Sequence, residues 1–326
     1  MQNHIILYQI AVLAILVLIG VLATKAKIIT ESVKNGIANI VFDITLPLLI
    51  ITTFARLEIS PVIIKNSGLV FLFTYIAMGV MYVAGDVFAK VSKLKGNQRA
   101  VFINHHMFGN IVFLGFPLMD ALFPGGEGLL YAAIYQLASN SIMWTFGVWV
   151  FLKGKGGSKK DIWKNMLNPN TIAFFIGLLI MFFKIRLPDL VFEPLNGLGK
   201  STIYLSMLYI GAMLAFTSVK GTLHKPHVFL LSFNKLLLVP AIVAFLVYLL
   251  SYWLFPSFGE ISRKVLILEA SMPCMATIVV MAKKFGSDDT LATENVFVST
   301  LFSVISIPLV YGGLVLLDSL FIQFFS

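Results

Sequence analysis

The residues of this chain that could do chemistry are few, and they interrupt apolar runs. Asn104, His105, His106, Gly109 and Asn110 lie ahead of Pro117 in RAVFINHHMFGNIVFLGFPLMDALF, and Glu269 lies one turn before Pro273 and Cys274 in RKVLILEASMPCMATIVVMAKKF. Asp43 precedes Pro47 by one turn, Lys235 sits in SFNKLLLVP, and Asn140 and Ser141 sit in LASNSIMW. A carboxylate inside a membrane span costs roughly 2.5–3.5 kcal/mol, so it usually has a partner or a water-filled cavity. Asp43 is therefore a functional group, half of a structural pair, or interfacial. Glu269 can carry a proton, pair with a cation, or sit near the membrane surface. His105 and His106 are adjacent, project about 100° apart on a helix and cannot share a face. Together they make no bidentate metal site, but either can titrate near neutral pH or serve as a hydrogen-bonded structural residue. Asn110, within a glycine-flanked break, can donate to a ligand or replace a missing backbone bond. Lys235 either snorkels to the surface or pairs with Asp43 or Glu269. Asn140 and Ser141 suit helix-to-helix hydrogen bonds.

These residues need elements to hold them. The segments 99–123 and 263–285 are each long enough to span a bilayer, and each carries a proline that removes an N–H donor and clashes with the preceding turn. A break exposed to lipid would leave backbone groups unsatisfied in hydrocarbon, so broken spans are buried in protein or line a cavity. Two such breaks in matching positions of two halves mark the binding site of a secondary transporter. Pro47 breaks or kinks a further span.

The composition is that of a membrane protein: 59% hydrophobic, 12% charged, mean hydropathy +0.93. A span needs about 20 apolar residues, and the sequence predicts ten, at 5–23, 37–55, 68–89, 100–122, 128–152, 169–184, 201–218, 228–254, 264–284 and 291–317. The polar stretch 153–168, with GKGGSKK inside it, reads as a cytoplasmic linker between a five-helix unit at 1–152 and another at 169–326. An odd number of spans per unit inverts the second relative to the first. The net charge of +9 is accounted for by loops rather than by nucleic-acid binding. Sixteen Lys and Arg fall in or beside odd-numbered loops against seven for even-numbered ones, which places the odd loops in the cytoplasm and both termini outside. The first span has no basic residues before it and reads as a retained helix rather than a cleaved signal. Cys274 is the single cysteine, so no intrachain disulfide forms. No HExxH, GxGD or Ser–His motif suggests an intramembrane enzyme, and no cofactor or metal is expected.

GNIVFLGFPL resembles the N-x4-G-x-P-L signature in the fourth helix of the auxin efflux carriers, and SMPCMATIVVMAKKFG resembles the matching segment of their ninth helix. ITLPLLI and NSIMW are similar to segments of their second and fifth helices, and all occur in order over nearly the whole chain. The short segment between the halves resembles the bacterial branch. The resemblance implies an all-α membrane protein of ten transmembrane helices in two inverted five-helix repeats, akin to bile acid symporters, with helices 4 and 9 broken and crossing. It also implies elevator-like transport of organic anions against a scaffold of helices 1, 2, 6 and 7.

The combined expectation is a secondary carrier for a small organic carboxylate in the cytoplasmic membrane, with room for a homodimer. Its substrate side would comprise Gly109, Asn110, Pro117, Asn140, Pro273 and Cys274. Asp43, His105, His106 and Glu269 are the candidates for coupling to protons or another ion. Proton coupling or voltage-driven movement is favoured over sodium coupling; a sodium-coupled anion symporter and an anion channel are the alternatives.

Overall fold

The computed structural model describes residues 2–153, 168–216 and 225–325, so all but the two ends of the expected linker lie outside the described residues. Its helices are α1 (Gln2–Lys25), α2 (Glu31–Arg56), α3 (Pro61–Val91), α4 (Gly96–Met107), α5 (Ile111–Leu122), α6 (127–152), α7 (Pro169–Phe182), α8 (Asp189–Phe216), α9 (Pro226–Trp253), α10 (Glu260–Ala270), α11 (Thr277–Lys284) and α12 (Asp289–Phe325). Among the described residues there is no named strand, only an isolated bridge between Gly109 and Cys274. Among the described residues, five helices are long and apolar enough to cross a membrane: α2, α3, α8, α9 and, within α12, Asp289–Ser319. Large apolar side chains such as Leu22, Val83, Phe245, Leu309 and Leu316 are exposed on the outside of the protein. Such a surface suits lipid, and the chain is a multi-pass membrane protein.

Local sequence sets the helix starts. Ser60 and Asn168 accept hydrogen bonds from the backbone N–H groups of Ile63 and Thr171, and each is followed by a proline at the first helical position. These are favoured N-terminal arrangements, because proline there gives up an N–H that had no helical partner.

Inside helices, proline acts more mildly than its sequence position suggests. Pro47, Pro117 and Pro240 each follow a short widened turn, at Val41–Thr45, Ile111–Gly115 and Asn234–Leu238. In these turns the N–H groups of Leu46, Phe116 and Val239 reach back five residues, to the carbonyls of Val41, Ile111 and Asn234. The extra width absorbs the missing donor and the ring. Pro47 therefore does not break its span; α2 runs unbroken from Glu31 to Arg56.

The helices form two packed groups. In one, α1 lies along α8, and α2 lies against α7 and α8. Glycine permits the tightest contact: a Cβ added at Gly20 would stand 2.5 Å from the carbonyl oxygen of Leu208, and one at Gly211 would stand 2.1 Å from that of Val17. Small residues let helix backbones approach where lipid offers no hydrophobic drive. In the other group, α3, α6, α9 and α12 pack around α4, α5, α10 and α11. A narrow, mostly apolar cavity lies between the groups, lined by Leu13 and Val17 of α1, Leu114 and Leu118 of α5, Met207 of α8 and Ile307 of α12.

Candidate functional site

The backbone leaves helical geometry between α4 and α5 at 108–110, and between α10 and α11 at 271–276. The two breaks lie against each other. Asn110 donates its backbone N–H to the Pro273 carbonyl at 2.7 Å, and Met275 donates to the Phe108 carbonyl at 3.2 Å. These bonds flank the Gly109–Cys274 pair in the manner of a two-residue antiparallel ladder. Such a pair, with no mutual bonds, brings Cα atoms to about 4.5 Å. The close approach requires a glycine: a Cβ at Gly109 would stand 2.9 Å from the Met272 Cβ.

Pro273 lies in its break, as expected, but Pro117 does not. Pro117 sits in the first turn of the regular helix that begins at Phe116, beyond the widened turn. A missing N–H is tolerated there, so the first break is made by Gly109 and Asn110 instead. Asn110 is buried, and its side-chain oxygen caps α5 by accepting from the Phe113 N–H at 3.3 Å.

The diverted backbone explains Lys235. In an unbroken helix the Asn110 N–H would serve the His106 carbonyl, but it goes to Pro273. Lys235 takes its place, donating to the His106 carbonyl at 2.9 Å. Its side chain is 0% exposed, so it does not snorkel, and among the described residues no ion pair joins it to Asp43 or Glu269. A cation at the C-terminal end of α4 also meets the negative end of the helix dipole.

The histidines diverge as adjacency requires. His105 Nδ1 lies 3.2 Å from the Asn295 amide of α12, while His106 Nδ1 lies 3.0 Å from the Phe102 carbonyl on its own helix. Both rings are fully buried, and neither Nε2 has a hydrogen-bond partner among the described residues. Cys274 is also buried; its N–H donates to Ser299 Oγ at 3.0 Å and its sulfur faces the His105 carbonyl at 3.8 Å.

Glu269 stands on α10 just before the second break, 1% exposed, with neither carboxyl oxygen hydrogen-bonded among the described residues. Its carboxyl faces Gly115 of α5: a Cβ added there would stand 2.5 Å from Oε2 and 2.8 Å from Oε1.

Two expected residues lie elsewhere. Asp43 is exposed, on the widened turn of α2 that packs with α7 and α8. Asn140 accepts from Gln136 Nε2 at 2.9 Å and lines a small pocket with Ile50, Phe116, Asn170 and Phe174. Both amide atoms of Asn170 are buried there without hydrogen-bond partners among the described residues.

Ion pairs anchor both broken segments at their starts. Arg99 of α4 bonds Asp86 of α3, which also holds Lys90 at 2.7 Å. Arg263 and Lys264 of α10 each reach Asp318 of α12 at 3.1 Å, and Tyr248 donates to the same carboxylate at 2.6 Å. Among the described residues no three His, Cys, Asp or Glu side chains are grouped to hold a metal ion.

Sequence reasoning passed over Asn295, Asp318, Gln136 and Asn170. The Gln136–Asn140 contact was readable as an i,i+4 pair; the others depend on which helices meet.

Two crossed half-helix pairs, buried in a bundle with an apolar exterior, are the build of a membrane transport protein. The chain matches the model of the membrane transport protein family over residues 5–311 and belongs to that family. The motif resemblance to auxin efflux carriers agrees with this. The chain is 27% identical over 305 residues to an uncharacterized transporter of Methanocaldococcus jannaschii, covering 91% of this chain and 95% of that protein. It is 25% identical over 299 residues to an uncharacterized transporter of Methanothermobacter thermautotrophicus, covering 90% and 94%.

Proposed function

We propose that the protein is a secondary carrier that moves a small organic carboxylate across the cytoplasmic membrane. The observation that carries this reading is the buried crossing of two interrupted helices, one in each half of the chain. At the crossing the ends of α4 and α10 meet the beginnings of α5 and α11, so partial negative and partial positive helix ends converge. Positive helix ends suit an anionic group, and a site built of dipoles and neutral amides releases its anion more readily than a cluster of arginines.

The ten spans fall in two inverted five-helix repeats. Support comes from paired features: α1 packs on α8 as α7 packs on α2, and an arginine ion pair anchors the start of each broken segment. The group containing α1, α2, α7 and α8 serves as the scaffold, and the crossing group moves against it as an elevator. The mostly apolar cavity between the groups suits a sliding surface. The charge asymmetry of the loops supports external termini.

The test is uptake by proteoliposomes of a panel of labelled mono- and dicarboxylates, among them malate, malonate and lactate. Imposed pH, sodium and voltage gradients are varied separately. Saturable uptake of at least one carboxylate is expected; no uptake of any under every gradient would refute the reading.

A further inference from the structure

Glu269 has an environment in which an ionised carboxylate is hard to maintain. It is 1% exposed, and neither oxygen accepts a hydrogen bond among the described residues. Burial of a charge without a partner is strongly unfavourable, and such a group takes its neutral form instead. Among the described residues, the elements packed on α10 supply no neutralising cation to it. From α5 it meets Gly115, and from α6 the buried Tyr135 lies within electrostatic reach. From α3, Asn66 accepts from the Gly259 N–H, at the far end of α10. From α9 and α12, Tyr248, Tyr311 and Asp318 engage Arg263 and Lys264, also at that end, where Glu260 pairs with Lys264. Lys235 of α9 is committed to the His106 carbonyl.

We propose that Glu269 is a proton-binding site at the crossing, the residue through which this carrier takes up and releases a proton. The proposal deepens the carrier reading and rests on it for its transport role. A hydrogen ion adds to one carboxyl oxygen when the crossing is open to water, which neutralises the side chain before it is enclosed against Gly115. The same ion leaves when the crossing opens on the other side. Moved together with a monocarboxylate anion, one proton makes the cycle electroneutral. Sodium fits this position poorly, since hard cations gather several oxygen ligands. The neighbouring hydroxyl of Ser271 is turned away, donating to the Leu268 carbonyl at 2.7 Å.

The test uses the full chain reconstituted in lipid. Dicyclohexylcarbodiimide, an apolar reagent that adds to protonated carboxyl groups, is expected to modify Glu269 of the wild-type protein at neutral pH, with or without sodium. The modified site is located by mass spectrometry of peptides. Infrared difference spectra should show a protonated-carboxyl band that is missing in Glu269→Gln and displaced in Glu269→Asp. No adduct at Glu269, an adduct prevented by sodium, or a band unchanged in Glu269→Gln would overturn the proposal. In flux, an inward proton gradient should stimulate wild-type uptake of labelled malate, malonate or lactate, and Glu269→Gln should lose that stimulation while Glu269→Asp keeps it. Undiminished stimulation in a folded Glu269→Gln protein also overturns the proposal. If no panel anion moves in wild type while Glu269 carries the adduct and the band, the carboxylate reading fails and the proton site stands.

Discussion

Replacing Gly109 by alanine should loosen the crossing, and the size of the effect follows from the local geometry. The added Cβ would stand 2.9 Å from the Cβ of Met272 and 3.2 Å from its carbonyl oxygen. Carbon atoms in favourable contact sit about 3.5–4.0 Å apart, so the two breaks must separate by roughly 0.6 Å or more. The Asn110–Pro273 bond, 2.7 Å long, would stretch to roughly 3.3 Å. The Met275–Phe108 bond, 3.2 Å long, would stretch to roughly 3.8 Å, beyond hydrogen-bond range. Loss of a bond of this type costs roughly 0.5–1.5 kcal/mol, and overpacking a tight interior roughly 1–3 kcal/mol. The sum is about 1.5–4.5 kcal/mol. Thermal unfolding of the detergent-purified protein measures it, with Gly79→Ala as the control, because a Cβ at Gly79 of α3 meets nothing within 4 Å. Gly109→Ala should melt several degrees below wild type while Gly79→Ala does not. Equal melting of the two variants would refute the close approach on which the crossing depends.

Asp318→Ala should destabilise the protein by roughly 3–5 kcal/mol, since it leaves the largely buried Arg263 and Lys264 without their shared carboxylate; chemical denaturation in mild detergent measures the change. Asn110→Ala removes the cap on α5 and should lower stability by about 1 kcal/mol in the same assay. Asn110→Asp should weaken uptake of a carboxylate, because it sets like charge beside the positive end that attracts the anion; unchanged apparent affinity would argue against a substrate near α5.

Much of the helical framework was legible in the sequence, because apolar run length and loop polarity report it directly. The expected spans 37–55, 68–89, 128–152 and 228–254 fall within or at the limits of the helices at 31–56, 61–91, 127–152 and 226–253, to within a residue at the ends. The prolines were less informative. Pro117 read as a breaker and Pro47 as a break or a kink, yet a widened turn before each accommodates the ring. The first break is marked instead by Gly109 and Asn110, a close-approach residue and a cap, whose meaning depends on the strand of chain that crosses them.

The pairwise chemistry was hidden for a different reason. Lys235 read equally well as a snorkelling or a paired side chain, and the deciding fact is a carbonyl 129 residues away in sequence, freed because its own helical donor was diverted. His105 with Asn295 and Arg263 with Asp318 are likewise contacts between distant helices. Glu269 drew attention as a carboxylate in an apolar run, and its isolation became visible only when every neighbouring helix was in place. Asp43 drew attention on the same grounds but stands exposed on α2. The sequence pattern is the same for both; what differs is which face of the helix meets protein.

The central claim, that the crossing serves a carrier for organic carboxylates, is tested most directly by counterflow. Proteoliposomes loaded with an unlabelled carboxylate and diluted into a trace of the labelled form should show transient, saturable accumulation of label that depends on the internal anion. Flux that rises linearly with concentration, ignores the internal anion and reaches channel-like conductance in planar bilayers would contradict the account.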